Sequence, residues 1–239
     1  AFGWGVANPA DRFSDLLQAK LNREGGKKYE VYNVAVPGWE SKHEADFLET
    51  RAGLFNFNQI ILAYVFNDIY ADRAFDLAFY DPEILEWQKN PLTKPILERS
   101  YFLEFFAARL SNYFNAASAD IFQREIRLYN NPESWQNHQL TLERMIHWCQ
   151  NNDVKLTVVL FPYLDLVNQN PYPAAQVHQK VLDFFTSHQV TTIDLYPKLK
   201  NYPNKILQAS PFDYHPSAFV HKIVAELLYQ KFLKLDTRN

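Results

Sequence analysis

The hydrophobic pattern of the chain changes period repeatedly, which predicts helices and strands in alternation. Apolar residues three and four positions apart predict amphipathic helices, and short apolar runs rich in β-branched residues predict buried strands. On these criteria, helices are predicted at 9–22, 41–55, 134–151, 174–188 and 216–233, and strands at 29–36, 59–66, 155–161 and 190–195. Because parallel strands need a crossover connection, this order predicts an α/β fold with a parallel sheet covered by helices on both faces.

The alternation lapses over residues 70–131, where aromatic side chains such as Phe79, Trp87 and Phe105 lie in largely helical surroundings. This segment is predicted to be a helical, aromatic-rich cap inserted into a single domain that spans 1–239. Two uses of the aromatic residues remain open. The favoured one is packing of the cap onto the sheet, and the other is the lining of an acyl or sugar pocket.

Composition narrows the classes of function. The chain has 239 residues, 47% of them apolar and 21% charged, which is enough for one large domain with a substantial core. The net charge of -3 and the lack of a basic run argue against a nucleic-acid partner. Its one cysteine, Cys149, can form no internal disulfide, and no apolar run reaches the roughly 18 residues of a membrane span.

Neither a metal nor a cofactor is expected. His138 and His147 lie nine residues apart on one predicted helix, and His178 and His188 lie on another. No pair has the spacing of a metal site such as His-Glu-x-x-His, so all four are predicted to lie on solvated helix faces.

Four polar residues follow predicted strands or precede the last helix, where open parallel sheets bind their ligands. Asp213 and His215 suit a carboxylate that orients an imidazole general base. Gly38 could present its backbone N–H, and Asn67 its side-chain amide, to a developing oxyanion. Each also has a structural alternative: a turn or cap for Asp213, surface exposure for His215, a tight turn for Gly38 and a loop position for Asn67.

The order of these residues resembles that of the SGNH hydrolases, also called GDSL-type esterases and lipases, over essentially the whole chain. Residues 33–38 resemble the block whose Gly gives an oxyanion donor, and Asn67 with its neighbours resembles the block whose Asn gives the other. The segment 213–217, followed by His221, resembles the block with the base and its orienting Asp. With the α/β pattern, the resemblance implies a flavodoxin-like three-layer sandwich.

Two departures from the family pattern concern the turn before Asn67 and the nucleophile. Val65 stands where the family usually has Gly. The family's nucleophile is a Ser that follows the first strand, and residues 2–6 resemble only the tail of that block, so the Ser and the first strand are expected ahead of Ala1. The only methionine, Met145, agrees with a missing start. Ser14, Ser41, Ser210 and Ser217 lack the strand-turn-helix elbow that a replacement needs.

The resemblance implies a serine ester hydrolase that acts on acyl or O-acetyl esters, including lipid esters and O-acetylated sugars. Asp213 would orient His215, and Gly38 and Asn67 would form the oxyanion hole. The alternative is a non-catalytic relative that binds a carbohydrate or acyl ligand in the same crevice. Family members occur in the cytoplasm and in the bacterial cell envelope, and longer relatives with an N-terminal anchor favour the envelope. The sequence does not predict an oligomeric state.

Overall fold

The computed structural model describes residue 3 and residues 6–24, 28–70, 117–210 and 213–236. Its main sheet has three parallel strands in the order β1 (Gln59–Tyr64), β2 (Lys155–Leu160) and β3 (Thr191–Asp194). Tyr64 aligns with Leu160, and Leu160 with Asp194, so the carboxyl ends of all three strands meet at one edge.

The described residues contain eight α-helices and a second, two-stranded sheet. The helices are α1 (Phe13–Glu24), α2 (Ser41–Thr50), α3 (Ala117–Asn130), α4 (Pro132–Asn151), α5 (Ala175–Ser187), α6 (Tyr196–Leu199), α7 (Asn204–Leu207) and α8 (Ala218–Asp236). Antiparallel strands β4 (Gln208–Ser210) and β5 (Asp213–Pro216) form the small sheet. Short 3-10 helices lie at Pro9–Asp11, Ala52–Leu54 and Phe66–Ile69.

Alternate residues of the main strands face two separate hydrophobic clusters. Leu62, Tyr64 and Val158 pack against α2, α4 and α5 on one face. Val159 and its neighbours pack against α1 and α8 on the other face. Since successive side chains of a strand point to opposite faces, helices cover both sides of the sheet. The predicted α/β class is confirmed.

The predicted strand at 29–36 is wrong, because residues 28–36 have no strand structure. A strand requires a neighbouring strand to pair with, and here side chains of α1 bind the backbone instead. The Asn22 side chain accepts from Tyr29 N–H at 2.6 Å, and the Gln18 side chain accepts from Val31 N–H at 2.6 Å.

Of the predicted cap at 70–131, residue 70 and residues 117–131 are described, and residues 71–116 lie outside the described residues, as does Trp4. In α3, the Phe122 ring meets the Tyr163 ring edge-on at 5.0 Å and packs near Tyr172. For Phe122, therefore, the role observed is packing onto the sheet layer.

Candidate active site

Asp213 and His215 lie on a β-hairpin, although the sequence predicts a loop at this point. Ser210 aligns with Asp213 across the two strands. Directly after β5, Ser217 Oγ donates to the Ile206 carbonyl at 2.6 Å and accepts from Val220 N–H at 3.4 Å. The hairpin and this helix cap fix the backbone on both sides of His215.

The structure brings Asp213 and His215 into direct contact. His215 Nδ1 lies 2.5 Å from Asp213 Oδ1, and the His215 backbone N–H donates to the same oxygen at 3.0 Å. Burial acts to raise the pKa of Asp213, but the hydrogen bonds from His215 outweigh it and lower that pKa. The carboxylate therefore stays ionised at neutral pH and favours the imidazole tautomer with its proton on Nδ1.

The other imidazole nitrogen of His215 is available for chemistry. The His215 side chain is 48% exposed, and its Nε2 has no hydrogen-bond partner in the described part of the chain. With Nδ1 bound to Asp213, the lone pair of Nε2 can accept a proton. This is the geometry that a general base requires.

Gly38 occupies a turn that only glycine adopts readily. Trp39 N–H donates to the Val36 carbonyl at 3.1 Å, and Gly38 has a φ of +80° after Pro37. A Pro-Gly corner with positive φ at the glycine is typical of a type II turn. The Gly38 N–H makes no hydrogen bond with any described residue, so it can donate to a ligand.

Asn67 lies in the 3-10 turn that leaves the carboxyl end of β1. Its side chain is exposed and has no hydrogen-bond partner within the described ranges. Asp68 braces the turn by accepting from Val65 N–H at 2.9 Å. Val65 has a φ of -126°, an extended conformation open to any residue, so this turn does not require the family's glycine.

The four predicted site residues are therefore only partly brought together. Asp213 and His215 touch, whereas no hydrogen bond between described residues joins either of them to Gly38 or Asn67. Asn67 follows β1 at the carboxyl edge of the main sheet, and Gly38 precedes α2.

Sequence reasoning missed three carboxyl groups that follow the candidate oxyanion donors along the chain, Glu40, Glu44 and Asp68. Burial raises the pKa of Glu40 and that of Glu44 to about 7. Burial and the charge of Glu44 raise the pKa of Asp68 well above its usual value. Burial thus favours the protonated form of all three carboxyl groups relative to an exposed carboxyl. The sequence contained a signal for two of these carboxyl groups, because Glu40 lies two residues after Gly38 and Asp68 lies one residue after Asn67.

The prediction of solvated helix faces is wrong for two of the four histidines. His138 is 2% exposed and His178 is 5% exposed, and each has a polar partner within hydrogen-bonding distance. His138 Nε2 lies 2.8 Å from Tyr64 Oη, and His178 Nε2 lies 2.8 Å from Asp194 Oδ1. His147 is exposed, as predicted.

His221 has a structural role that the sequence did not reveal. It is fully buried, its Nδ1 accepts from Phe13 N–H at 3.1 Å, and its ring stacks on that of Phe13. Burial lowers the pKa of His221 to about 4, so the ring is neutral at physiological pH. It joins α8 to the first turn of α1.

Two of the alternative serines have evident structural contacts. Ser14 is buried in α1 and its Oγ donates to Asp15 at 2.9 Å. Ser217 caps α8, as described above. Gly3, a described residue of the segment that resembles the tail of the nucleophile block, has a φ of +123°, and a Cβ there would lie 2.8 Å from Arg12 Nε. Gly3 thus lies against the Arg12 side chain, just ahead of α1.

Among the described residues, no group of three or more His, Cys, Asp or Glu side chains is arranged to bind a metal ion. In that part of the chain, no helix combines the length and apolar character needed to cross a bilayer.

Comparisons of the chain with protein-family models, with curated proteins and with solved structures found no match. The case for a function therefore depends on the geometry of the site residues.

Proposed function

We propose that this chain is a serine ester hydrolase of the SGNH type, with a flavodoxin-like arrangement of its α/β layers. The observation that carries the proposal is the Asp213–His215 pair. Its carboxylate binds Nδ1 at 2.5 Å, and the half-exposed imidazole keeps Nε2 free. An oriented base of this kind is a requirement of nucleophilic catalysis and is not needed for binding alone.

In the proposed reaction, the nucleophile is a serine ahead of Ala1. Its hydroxyl gives a proton to His215 Nε2 while its oxygen forms a bond to the ester carbonyl carbon. The tetrahedral intermediate then expels the alcohol, which takes the proton from His215. Water attacks the acyl-enzyme in the same way, so the acid is released and the serine is regenerated.

Gly38 and Asn67 are assigned to the oxyanion of that intermediate. Both present an N–H donor without a partner among the described residues, one from the backbone and one from a side chain. Elsewhere, loss of one such donor costs about 2.7–4 kcal/mol of transition-state stabilisation.

The substrate class is a small-molecule or carbohydrate ester, with acyl and O-acetyl groups both included. The test is hydrolysis of p-nitrophenyl acetate and of longer p-nitrophenyl esters by a chain that carries the proposed upstream serine. His215→Ala should abolish most turnover, and His147→Ala, an exposed histidine on α4, should retain it.

A fluorophosphonate probe supplies the second arm of the test, since it labels activated serines covalently. Peptide mapping should place the label on the upstream serine and nowhere else. Equal turnover in His215→Ala would contradict the proposal, as would a label on a different serine. If no variant hydrolyses any ester while the chain binds acylated sugars, the non-catalytic alternative is correct.

A further inference from the structure

A chain of buried hydrogen bonds runs from α4 to the turn that carries Asn67. His138 Nε2 lies 2.8 Å from Tyr64 Oη, which in turn lies 2.5 Å from Tyr129 Oη. Tyr129 Oη donates to the Phe66 carbonyl at 3.1 Å. The two tyrosines are fully buried and His138 is 2% exposed, so these three hydrogen bonds are shielded from bulk solvent.

Only one arrangement of protons satisfies every link. The Phe66 carbonyl can only accept, so the Tyr129 hydroxyl uses its one proton there. Tyr129 Oη must then accept from Tyr64, and Tyr64 Oη must accept from His138. His138 is therefore the neutral tautomer with its proton on Nε2, which agrees with burial lowering its pKa to about 3.

The last bond of the chain acts on the backbone next to Asn67. The Phe66 carbonyl belongs to the same planar peptide unit as the Asn67 N–H. Fixing that carbonyl therefore fixes the orientation of the Asn67 N–Cα bond. The Phe66 ring is also stacked on Tyr163 at 4.9 Å. The exposed Asn67 side chain thus projects from a backbone that is held from inside the core.

Packing alone does not account for this arrangement. Phenylalanine in place of Tyr64 and Tyr129 would fill nearly the same volume without burying a polar oxygen. The Tyr129 hydroxyl adds a side-chain hydrogen bond to one backbone carbonyl of the 3-10 turn, and that carbonyl directly precedes Asn67.

We propose that His138, Tyr64 and Tyr129 are positioning residues that hold the Asn67 backbone in the place from which its side-chain amide can bind the oxyanion. This inference rests on the function proposed above, because it takes its purpose from the role of Asn67. None of the three residues touches the substrate.

The first test is Tyr129→Phe, which removes the terminal hydroxyl and keeps the ring. We expect kcat for p-nitrophenyl acetate to fall about tenfold, a fraction of the full loss of one oxyanion donor. KM should stay within about twofold, because the interaction is made in the transition state. Tyr64→Phe should give a smaller loss of kcat, since Tyr129 can still donate to the Phe66 carbonyl.

Tyr172→Phe is the matched control. The Tyr172 side chain is 6% exposed, and its hydroxyl accepts from Tyr163 N–H at 3.1 Å, so the deletion removes a comparable buried bond. Both variants should lower the midpoint of thermal unfolding by a few degrees, and only Tyr129→Phe should lower kcat. Equal kcat in Tyr129→Phe and Tyr172→Phe would show that the hydrogen-bond network has only a structural role, and would overturn the proposal.

A second readout does not depend on catalysis. The side-chain amide signal of Asn67 in a ¹H–¹⁵N spectrum, assigned by its loss in Asn67→Ala, should move in Tyr129→Phe and remain in place in Tyr172→Phe. An unmoved signal in an active enzyme would overturn this inference alone. A moved signal in a chain without ester turnover would retain the positioning role and refute the hydrolase.

Discussion

Two imidazole–carboxylate pairs within hydrogen-bonding distance lie among the described residues, and they differ in environment more than in chemistry. The Asp213–His215 pair and the Asp194–His178 pair have contact distances of 2.5 and 2.8 Å. His215 uses Nδ1 and is 48% exposed, whereas His178 uses Nε2 and its side chain is 6% exposed. The free nitrogen of the first pair is thus accessible, and the free nitrogen of the second is buried.

The difference shows that an Asp–His contact does not by itself indicate a catalytic site. The His178 ring has the rings of Phe66, Tyr172 and Tyr196 about it, with centroids 5.7, 6.0 and 5.7 Å away. Asp194 also accepts from Tyr196 N–H at 2.8 Å. The buried pair therefore joins α5 to the end of β3, while the exposed pair is available to a substrate.

The largest expected effect is that of His215→Ala on the rate. Removal of the proposed general base should lower kcat/KM for p-nitrophenyl acetate by about 10² to 10⁴-fold. The free energy of unfolding should change by only about 0.5 kcal/mol, because the side chain is half exposed. Ester kinetics and urea unfolding on the same preparation measure both. A large loss of stability would show that the exposed pair is structural as well.

Asn67→Ala should have the next largest effect. Loss of the amide donor is expected to lower kcat by about 10² to 10³-fold, with little change in unfolding, because the side chain is exposed. Asn137→Ala, an exposed asparagine on α4, is the control and should match the unmodified chain. Unchanged kcat in Asn67→Ala would remove Asn67 from the oxyanion hole.

A third ionisable contact, between Tyr163 and Glu125, should make the stability of the fold depend on pH. Glu125 is 2% exposed, and burial raises its pKa to about 7 from an ordinary 4.5. The folded state therefore retains a proton that the unfolded state releases. The stabilising contribution of the Glu125 proton is complete below pH 4.5 and is lost as the pH rises to about 7. This loss lowers the free energy of unfolding by on the order of 3 kcal/mol.

Glu125→Gln tests that prediction, because glutamine keeps the size of the side chain and has no proton to release. Urea unfolding between pH 4 and 8 should show a weaker fall in stability with rising pH in the variant than in the unmodified chain. Parallel curves for the two proteins would show that Glu125 does not titrate in this range.

His178→Ala should lower stability and leave kcat unchanged, which is the reverse of the result expected for His215→Ala. The size of the effect should also be smaller. Loss of the buried hydrogen bond is expected to lower the free energy of unfolding by about 1–3 kcal/mol. The expected cost is limited because the Asp194 side chain is 26% exposed and can be hydrated. The kcat of the folded fraction should be unchanged. A loss of kcat without a loss of stability would assign the buried pair to the reaction.

The alternation of helices and strands could be predicted from sequence because it depends on short-range periodicity. β2 and α8 carry their apolar residues at the spacing of their own element, and both lie where they were predicted. The segment 29–36 has the composition of a strand, yet strand structure depends on a partner elsewhere in the chain. Residues Gln18 and Asn22 bind its backbone, and no local pattern indicates that contact.

The site could be predicted in part for the same reason. Asp213 and His215 are two residues apart, so their contact is local. The burial of His138 depends on Tyr64, which is 74 residues away. Similarly, Val65 departs from the family pattern, and only its φ of -126° shows that glycine is not needed there. Long-range partners and backbone angles are the information that the sequence pattern does not contain.

The turn at Gly38 means that the two halves of the proposed oxyanion hole are encoded differently. Asn67 contributes through the identity of its side chain, so one codon change can delete that donor. Gly38 contributes its backbone N–H, which every residue except proline possesses, and its φ of +80° is what selects glycine. A substitution at Gly38 would retain the donor and misdirect it. The Asn67 donor thus depends on the chemical identity of a side chain, and the Gly38 donor depends on the backbone conformation that glycine can adopt.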